Sequence, residues 1–162
     1  MRILGVDPGI ARSGWGVIEV ESSKFKVQSY GCLETSADIE SSQRLRHIYD
    51  SITAIIKKYK PDAMAVEELF FNTNAKTAFI VGQARGVVLL AAAEKNVSVV
   101  IYTPLQVKIA VTGYGRAEKN QIGQMVKVLL KLKEIPKPDD VADALAVALT
   151  HAFSKNFKQA TR

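Results

Sequence analysis

A single cysteine, Cys32, excludes an intrachain disulfide and any cysteine-rich zinc site. His47 and His151 are the only histidines, so a polyhistidine metal centre is a poor fit. No apolar run reads as long enough to cross a membrane, and the acid at Asp7 comes too early for a signal peptide. The expectation is a protein of the reducing cytoplasm with no membrane partner. Low-complexity tracts, repeats and interdomain linkers are also missing. The 162 residues therefore suit one domain over 1–155, with a polar tail over 156–162.

What is present is an ordinary globular balance, 48% hydrophobic and 23% charged, with a net charge of +6. A moderately basic domain is compatible with a polyanionic partner such as nucleic acid. Three strands are expected first, over Ile3–Val6, Gly14–Val20 and Phe25–Glu34. An amphipathic helix follows over Asp38–Tyr59, where Leu45, Ile48, Tyr49, Ile52, Ile55, Ile56 and Tyr59 form one stripe. A buried strand over Ala63–Leu69, a long helix over Ala75–Lys95 and a strand over Val97–Tyr102 come next. Thr103-Pro104 opens a helix with a capping hydroxyl and a proline at its first position. After a basic loop, Thr112–Arg116, two more helices are expected over Ala117–Leu132 and from Asp139 to about Ser154. The order βββαβαβααα predicts an α/β domain, a mixed five-stranded sheet with helices on both faces.

Carboxylates interrupt the apolar segments. Asp7 ends the first strand, Glu67-Glu68 lie in the fourth, and Asp140 and Asp143 open an otherwise apolar last helix. Burying an unpaired carboxylate costs several kcal/mol or shifts its pKa. Mg²⁺ or Mn²⁺ among them would turn mutual repulsion into attraction, because hard cations prefer oxygen ligands. Asp7 and the glutamates fall near the C-terminal ends of strands, where open α/β sheets bind ligands. Asp140 and Asp143, three apart, share a helix face. Glu67 and Glu68 point to opposite faces of their strand, and sequence parity does not choose between them.

The helix over Ala75–Lys95 is apolar nearly all round. One face can pack on the sheet, and the other then needs a partner. Ala78, Gly82 and Gly86, four apart, would let another backbone approach closely. A twofold homodimer through this helix is the expectation.

The stretches ILGVDPG with SGWGV, MAVEELF, NA with GQARGV, QVK with GYGRAEK, and DDVADALAVALTH occur in order to about His151. In these the chain closely resembles the bacterial RuvC family of Holliday-junction resolvases. The resemblance implies a ribonuclease-H-like fold, a homodimer, and Mg²⁺-dependent endonuclease activity. That activity resolves four-way DNA junctions by paired symmetric nicks, in recombination and repair, at short T-rich sequences. It implies catalytic, metal-binding acids at Asp7, Glu67, Asp140 and Asp143, and so selects Glu67 over Glu68. Two metals per site and a branch-migration partner, the RuvA–RuvB complex, are also implied. Phe70 matches an aromatic that stacks on bases near the junction centre, and Lys108 and Lys119 match basic residues near the scissile phosphate. Arg116, in the basic loop, joins the DNA-binding expectation. Three rivals share features with this reading. The Asp7-Pro8-Gly9 turn resembles the phosphate loop of actin-like ATPases, but those need two such domains. RuvX/YqgF-type nucleases of RNA processing share the fold and the early aspartate. A non-catalytic junction-binding protein would share the surface but has no need of the acids.

Overall fold

The computed structural model describes residues 1–22, 24–68 and 75–160, with the backbone alone over 155–160. Ten elements follow in the expected order: β1 (Arg2–Asp7), β2 (Arg12–Glu21), β3 (Lys24–Glu34), α1 (Ser41–Tyr59), β4 (Ala63–Glu67), α2 (Ala75–Glu94), β5 (Ser98–Tyr102), α3 (Pro104–Thr112), α4 (Lys119–Leu129) and α5 (Asp139–Ala160). The strands form one sheet in the order β3-β2-β1-β4-β5. β1 pairs antiparallel with β2 and parallel with β4, and β4 pairs parallel with β5. The sheet is therefore mixed, with β1 at its centre.

Side chains alternate across β1 and β4 and so define two cores. Leu4, Val6, Met64 and Val66 face α1 and α2, together with Ile48, Ile52, Ala84 and Val88. Ile3 and Ala65 face the other way, into a core with Val107 of α3, Val126 of α4 and Leu145 and Leu149 of α5. Helices thus cover both faces, as the element order requires. α5 is the middle of its layer, with Val141, Ala144, Leu145 and Ala148 fully buried.

Several boundaries differ from the sequence reading. α1 starts at Ser41, not Asp38, because residues 36–39 form a turn in which Ser36 Oγ accepts from Asp38 N–H and Ser36 O accepts from Ile39 N–H. α3 starts as expected, with a reciprocal cap between Thr103 and Gln106. α4 starts at Lys119, because Ala117 N–H is committed to Tyr114 O in a preceding turn. It ends at Leu129, where Lys131 turns left-handed at φ 53°. α5 continues to Ala160, six residues past Ser154, so most of the expected tail is helical.

One expectation needs correcting. By length and mean hydropathy α2 does qualify as a possible membrane span. Its three charged residues, Lys76, Arg85 and Glu94, interrupt the apolar run without lowering its mean hydropathy below that of a spanning helix. The same helix packs against α1 through Ala84, Val88, Ala91 and Ala92. Tyr49 of α1 also donates to the Glu94 carboxylate at its end. These contacts make it a structural helix of the folded domain.

Candidate active site

The acids come together because glycines let α5 lie close on the sheet. Gly14 pairs with Asp7 across β1 and β2. A Cβ on Gly14 would collide with the Asp140 carbonyl, and one on Gly5 would collide with that of Ala144. With no side chains in the way, the first turn of α5 rests against the C-terminal end of β1. Asp7 follows Val6 and, by alternation, points to the α5 side. Glu67 follows Val66 in the parallel neighbour β4 and points the same way. The parity question is settled by Met64 and Val66, which face α1 and α2 and so leave Glu67 on the α5 face and Glu68 opposite it.

The carboxylates feel each other. Burial first, then the charges of Asp143, Asp140 and Glu67, raise the Asp7 pKa to about 7. Burial and the Asp143 charge raise that of Glu67 to about 6, against the pull of Lys119 and Lys108. Asp143 is raised too, chiefly by burial, although Lys119 draws it back. Lys119 Nζ lies 2.9 Å from Asp143 Oδ2, and this hydrogen bond raises the lysine's own pKa. Asp140 Oδ2 lies 3.7 Å from Arg12 Nε. The last helix places Asp139 and Asp140 in its first turn, where its dipole favours negative charge.

The donor set suits a hard divalent cation: four carboxylates converge on one end of a strand pair, and two are raised well above their usual range. Among the described residues, however, no three acidic, histidine or cysteine side chains meet closely enough to hold a metal ion. Asp143 pairs with Lys119 and Asp140 with Arg12. The parallel register of β1 and β4 and the close approach of α5 bring the four backbones to one sheet end.

A model of the family "Crossover junction endodeoxyribonuclease RuvC" matches residues 3–151. The chain belongs to the RuvC family. A RuvC from Desulforamulus reducens is 60% identical over 94% of this chain and 93% of its own length. One from Caldicellulosiruptor saccharolyticus is 57% identical, over 96% and 95% respectively. Among solved structures, Thermus thermophilus RuvC superposes with a TM-score of 0.90 at 40% identity, over 98% of this chain and 97% of that one. The same protein in complex with Holliday junction substrate gives 0.90 at 39% identity, over 97% and 96%. The fold is therefore that of RuvC, ribonuclease-H-like as expected, and these matches favour RuvC over the RuvX/YqgF-type alternative.

Of the DNA-binding residues expected from the RuvC resemblance, Lys119 touches the acid cluster and Lys108 is felt by Glu67. Arg116 is exposed between α3 and α4. Phe70 lies outside the described residues. Ala78 is half-buried in α2, whereas Gly82 and Gly86 are exposed, with nothing within 4 Å of a built Cβ. Two residues near the site were not singled out in the sequence. Arg12 pairs with Asp140, and its only signal was a charge just after the Asp7-Pro8-Gly9 turn. Arg85 donates from α2 to the Glu67 carbonyl at 2.6 Å and so fixes the end of β4 from the opposite layer. Its signal was a lone arginine in an apolar helix. Ser13, fully buried, donates to Gly9 O at 2.6 Å and accepts from Gly9 N–H at 3.1 Å, which holds the turn after Asp7.

Proposed function

We propose that this chain is a Holliday-junction-resolving endodeoxyribonuclease that cuts phosphodiester bonds at the Asp7, Glu67, Asp140 and Asp143 cluster. One observation carries the reading: in a chain of this family, β1, β4 and α5 deliver four acids to a single sheet end, with Lys119 paired to one of them. Two Mg²⁺ ions, or Mn²⁺, would be held by these four acids and would supply an activated hydroxide and a counter-charge for the leaving 3′ oxygen. No protein nucleophile is needed. Lys119 neutralises Asp143 until substrate arrives, and its long, two-thirds-exposed side chain can then turn to the phosphate. Lys108 offers a second positive charge on the Glu67 side. Arg12 restrains Asp140, and Arg85 keeps the Glu67 backbone in place.

The enzyme acts as a homodimer. Ala75, Phe79, Gly82, Gly86, Leu90 and Ala93 are all exposed and recur along one stripe of α2, with Phe79 70% and Leu90 52% exposed. A folded monomer rarely leaves such a stripe to water. A twofold contact along it would bring two active sites to one junction and permit paired symmetric nicks. The RuvA–RuvB complex is the expected partner in the cytoplasm, and Phe70 the aromatic that stacks on junction bases.

The test is cleavage of a synthetic four-way junction, beside a linear duplex of the same sequence, across a Mg²⁺ titration. Metal-dependent nicks at symmetric positions in the junction alone support the reading. Binding without nicks at any metal concentration would leave only the non-catalytic alternative.

A further inference from the structure

Beside the acid cluster lies a cavity of about 310 Å³ between the starts of α4 and α5, lined by Lys119, Asn120, Ile135, Lys137 and Asp143 among others. It does not end there. Ile135 and Lys137 also line a second groove, of about 570 Å³, that continues past Pro136, Lys133 and Lys131 to Tyr30. Tyr30 stands opposite Gly16, whose missing Cβ would meet Leu145 of α5. The groove is therefore on the same sheet face as the catalytic acids. Tyr30 belongs to β3, an outer strand of the sheet, and is 43% exposed.

The connection between α4 and α5 is basic. Lys131, Lys133 and Lys137 are all exposed, and none forms an ion pair with a described residue. Asp139 and Asp143 oppose Lys119 and Lys137 in the first cavity, and Glu134 is the acid of the second groove. Farther on, Lys131 borders a third groove where Lys24 and Lys26 are matched by Glu19 and Glu21. The excess of positive charge thus lies along Lys137, Lys133 and Lys131, in the groove that adjoins the catalytic cavity. Lys131 itself sits in the left-handed conformation that ends α4. Its N–H bonds to Val128 O, and that of Leu132 bonds to Lys127 O. Glycine is the residue with least strain at such a position, so a lysine there adds charge at a conformational cost.

We propose that this strip, Lys137-Lys133-Lys131 with Tyr30 at its end, is a track for the phosphates of one duplex arm of the junction, leading the strand to the acid cluster. The inference rests on the function proposed above. Charge complementarity and continuity with the catalytic cavity select the occupant: regularly spaced phosphates suit a row of solvated lysines, and the row begins at Lys119. An aromatic at the far end can lie against a sugar edge. The three lysines are positioning residues for substrate, apart from the reacting atoms.

The experiment measures binding of a synthetic four-way junction by fluorescence anisotropy over a range of salt, in Ca²⁺ or EDTA so that no cutting occurs. The wild type is compared with the triple variant Lys131→Gly, Lys133→Ala, Lys137→Ala. Each lost phosphate contact lowers the slope of log K against log salt by about 0.9, so three should lower it by roughly two to three units. Shortening the junction arms step by step should weaken the wild type and leave the triple variant much less affected. If the triple variant melts early, Lys131→Gly and Lys133→Ala are read singly. Lys131→Gly relieves the left-handed strain and should melt no lower than wild type, while its slope falls by about one unit. An unchanged slope, or equal sensitivity of both proteins to arm length, overturns the proposal and leaves the strip to an acidic protein surface. Failure of the wild type itself to bind or cut the junction would instead overturn the proposed function.

Discussion

Replacing Asp7 with asparagine should make the metal-free protein more stable at pH 8 while removing its activity. Burial and three neighbouring carboxylates raise the Asp7 pKa from 3.8 to about 7. The folded state therefore holds this proton more tightly than the unfolded state does. Between about pH 4 and pH 7 the folded protein binds more protons, so its stability falls as pH rises through that window. Above pH 7 the full penalty is present. A shift of about three units corresponds to roughly 4 kcal/mol, an upper bound because the neighbouring acids share the repulsion. The asparagine amide must also find partners, which offsets roughly 1–2 kcal/mol. A net gain of about 2 kcal/mol would raise Tm by roughly 4–8 °C in a domain of this size. Differential scanning calorimetry in EDTA at pH 8 and pH 5 reads this directly. The gain should be present at pH 8 and nearly cancelled at pH 5, where the folded state keeps the Asp7 proton and only about a third of the penalty remains against the amide's cost. Added Mg²⁺ should raise the Tm of wild type more than that of Asp7→Asn. An asparagine variant that melts lower at pH 8, or gains equally at both pH values, would refute the burial and repulsion argument.

Lys108→Ala and Lys119→Ala should keep the fold and reduce the salt slope of junction binding by about one unit each; an unchanged slope with an unchanged cleavage rate assigns both to ordinary surface. Gly82→Leu and Gly86→Leu meet no obstacle within one chain, so monomer stability should hold or improve. If α2 is the dimer contact, overpacking it should cost about 1–3 kcal/mol of association, and sedimentation should show dissociation and loss of paired cuts before single nicks. A leucine variant that remains a dimer would move the interface elsewhere. Gly14→Ala should lower the unfolding free energy by about 3 kcal/mol or more, read as a sharp fall in the urea midpoint, because its Cβ would push the Asp140 carbonyl and with it the start of α5. A neutral effect would mean that α5 can lift from the sheet freely.

The element order was legible where the period was clean, as in α1, and for α2 from its length and its lack of proline. Ile48, Ile52, Ile55 and Ile56 repeat at helical spacing and all four are buried. Thr103-Pro104 carried its helix start in its own chemistry. Boundaries were less legible where side chains compete for backbone groups, as Ser36 does ahead of α1. The acids at Asp7, Asp140 and Asp143 stood out because each interrupts an apolar segment. Glu67 and Glu68 could not be separated without the sheet, since adjacent strand residues differ only in the face they meet. Arg12 and Arg85 were missed because their partners, Asp140 and the Glu67 carbonyl, are distant in sequence and come near only when α5 and α2 dock. The lysines between α4 and α5 had no periodicity to mark them, and only the adjoining grooves join them to the site.

The four acids either do chemistry or only build the fold. Asp7→Asn, Glu67→Gln, Asp140→Asn and Asp143→Asn should each be measured for junction binding and Mg²⁺-dependent cleavage on the same preparation, with circular dichroism as the control. The prediction is near-complete loss of cleavage in every variant, with binding retained and a native spectrum. Full cleavage by any one removes that residue from the site, and unfolding of all four would reduce the cluster to a structural role.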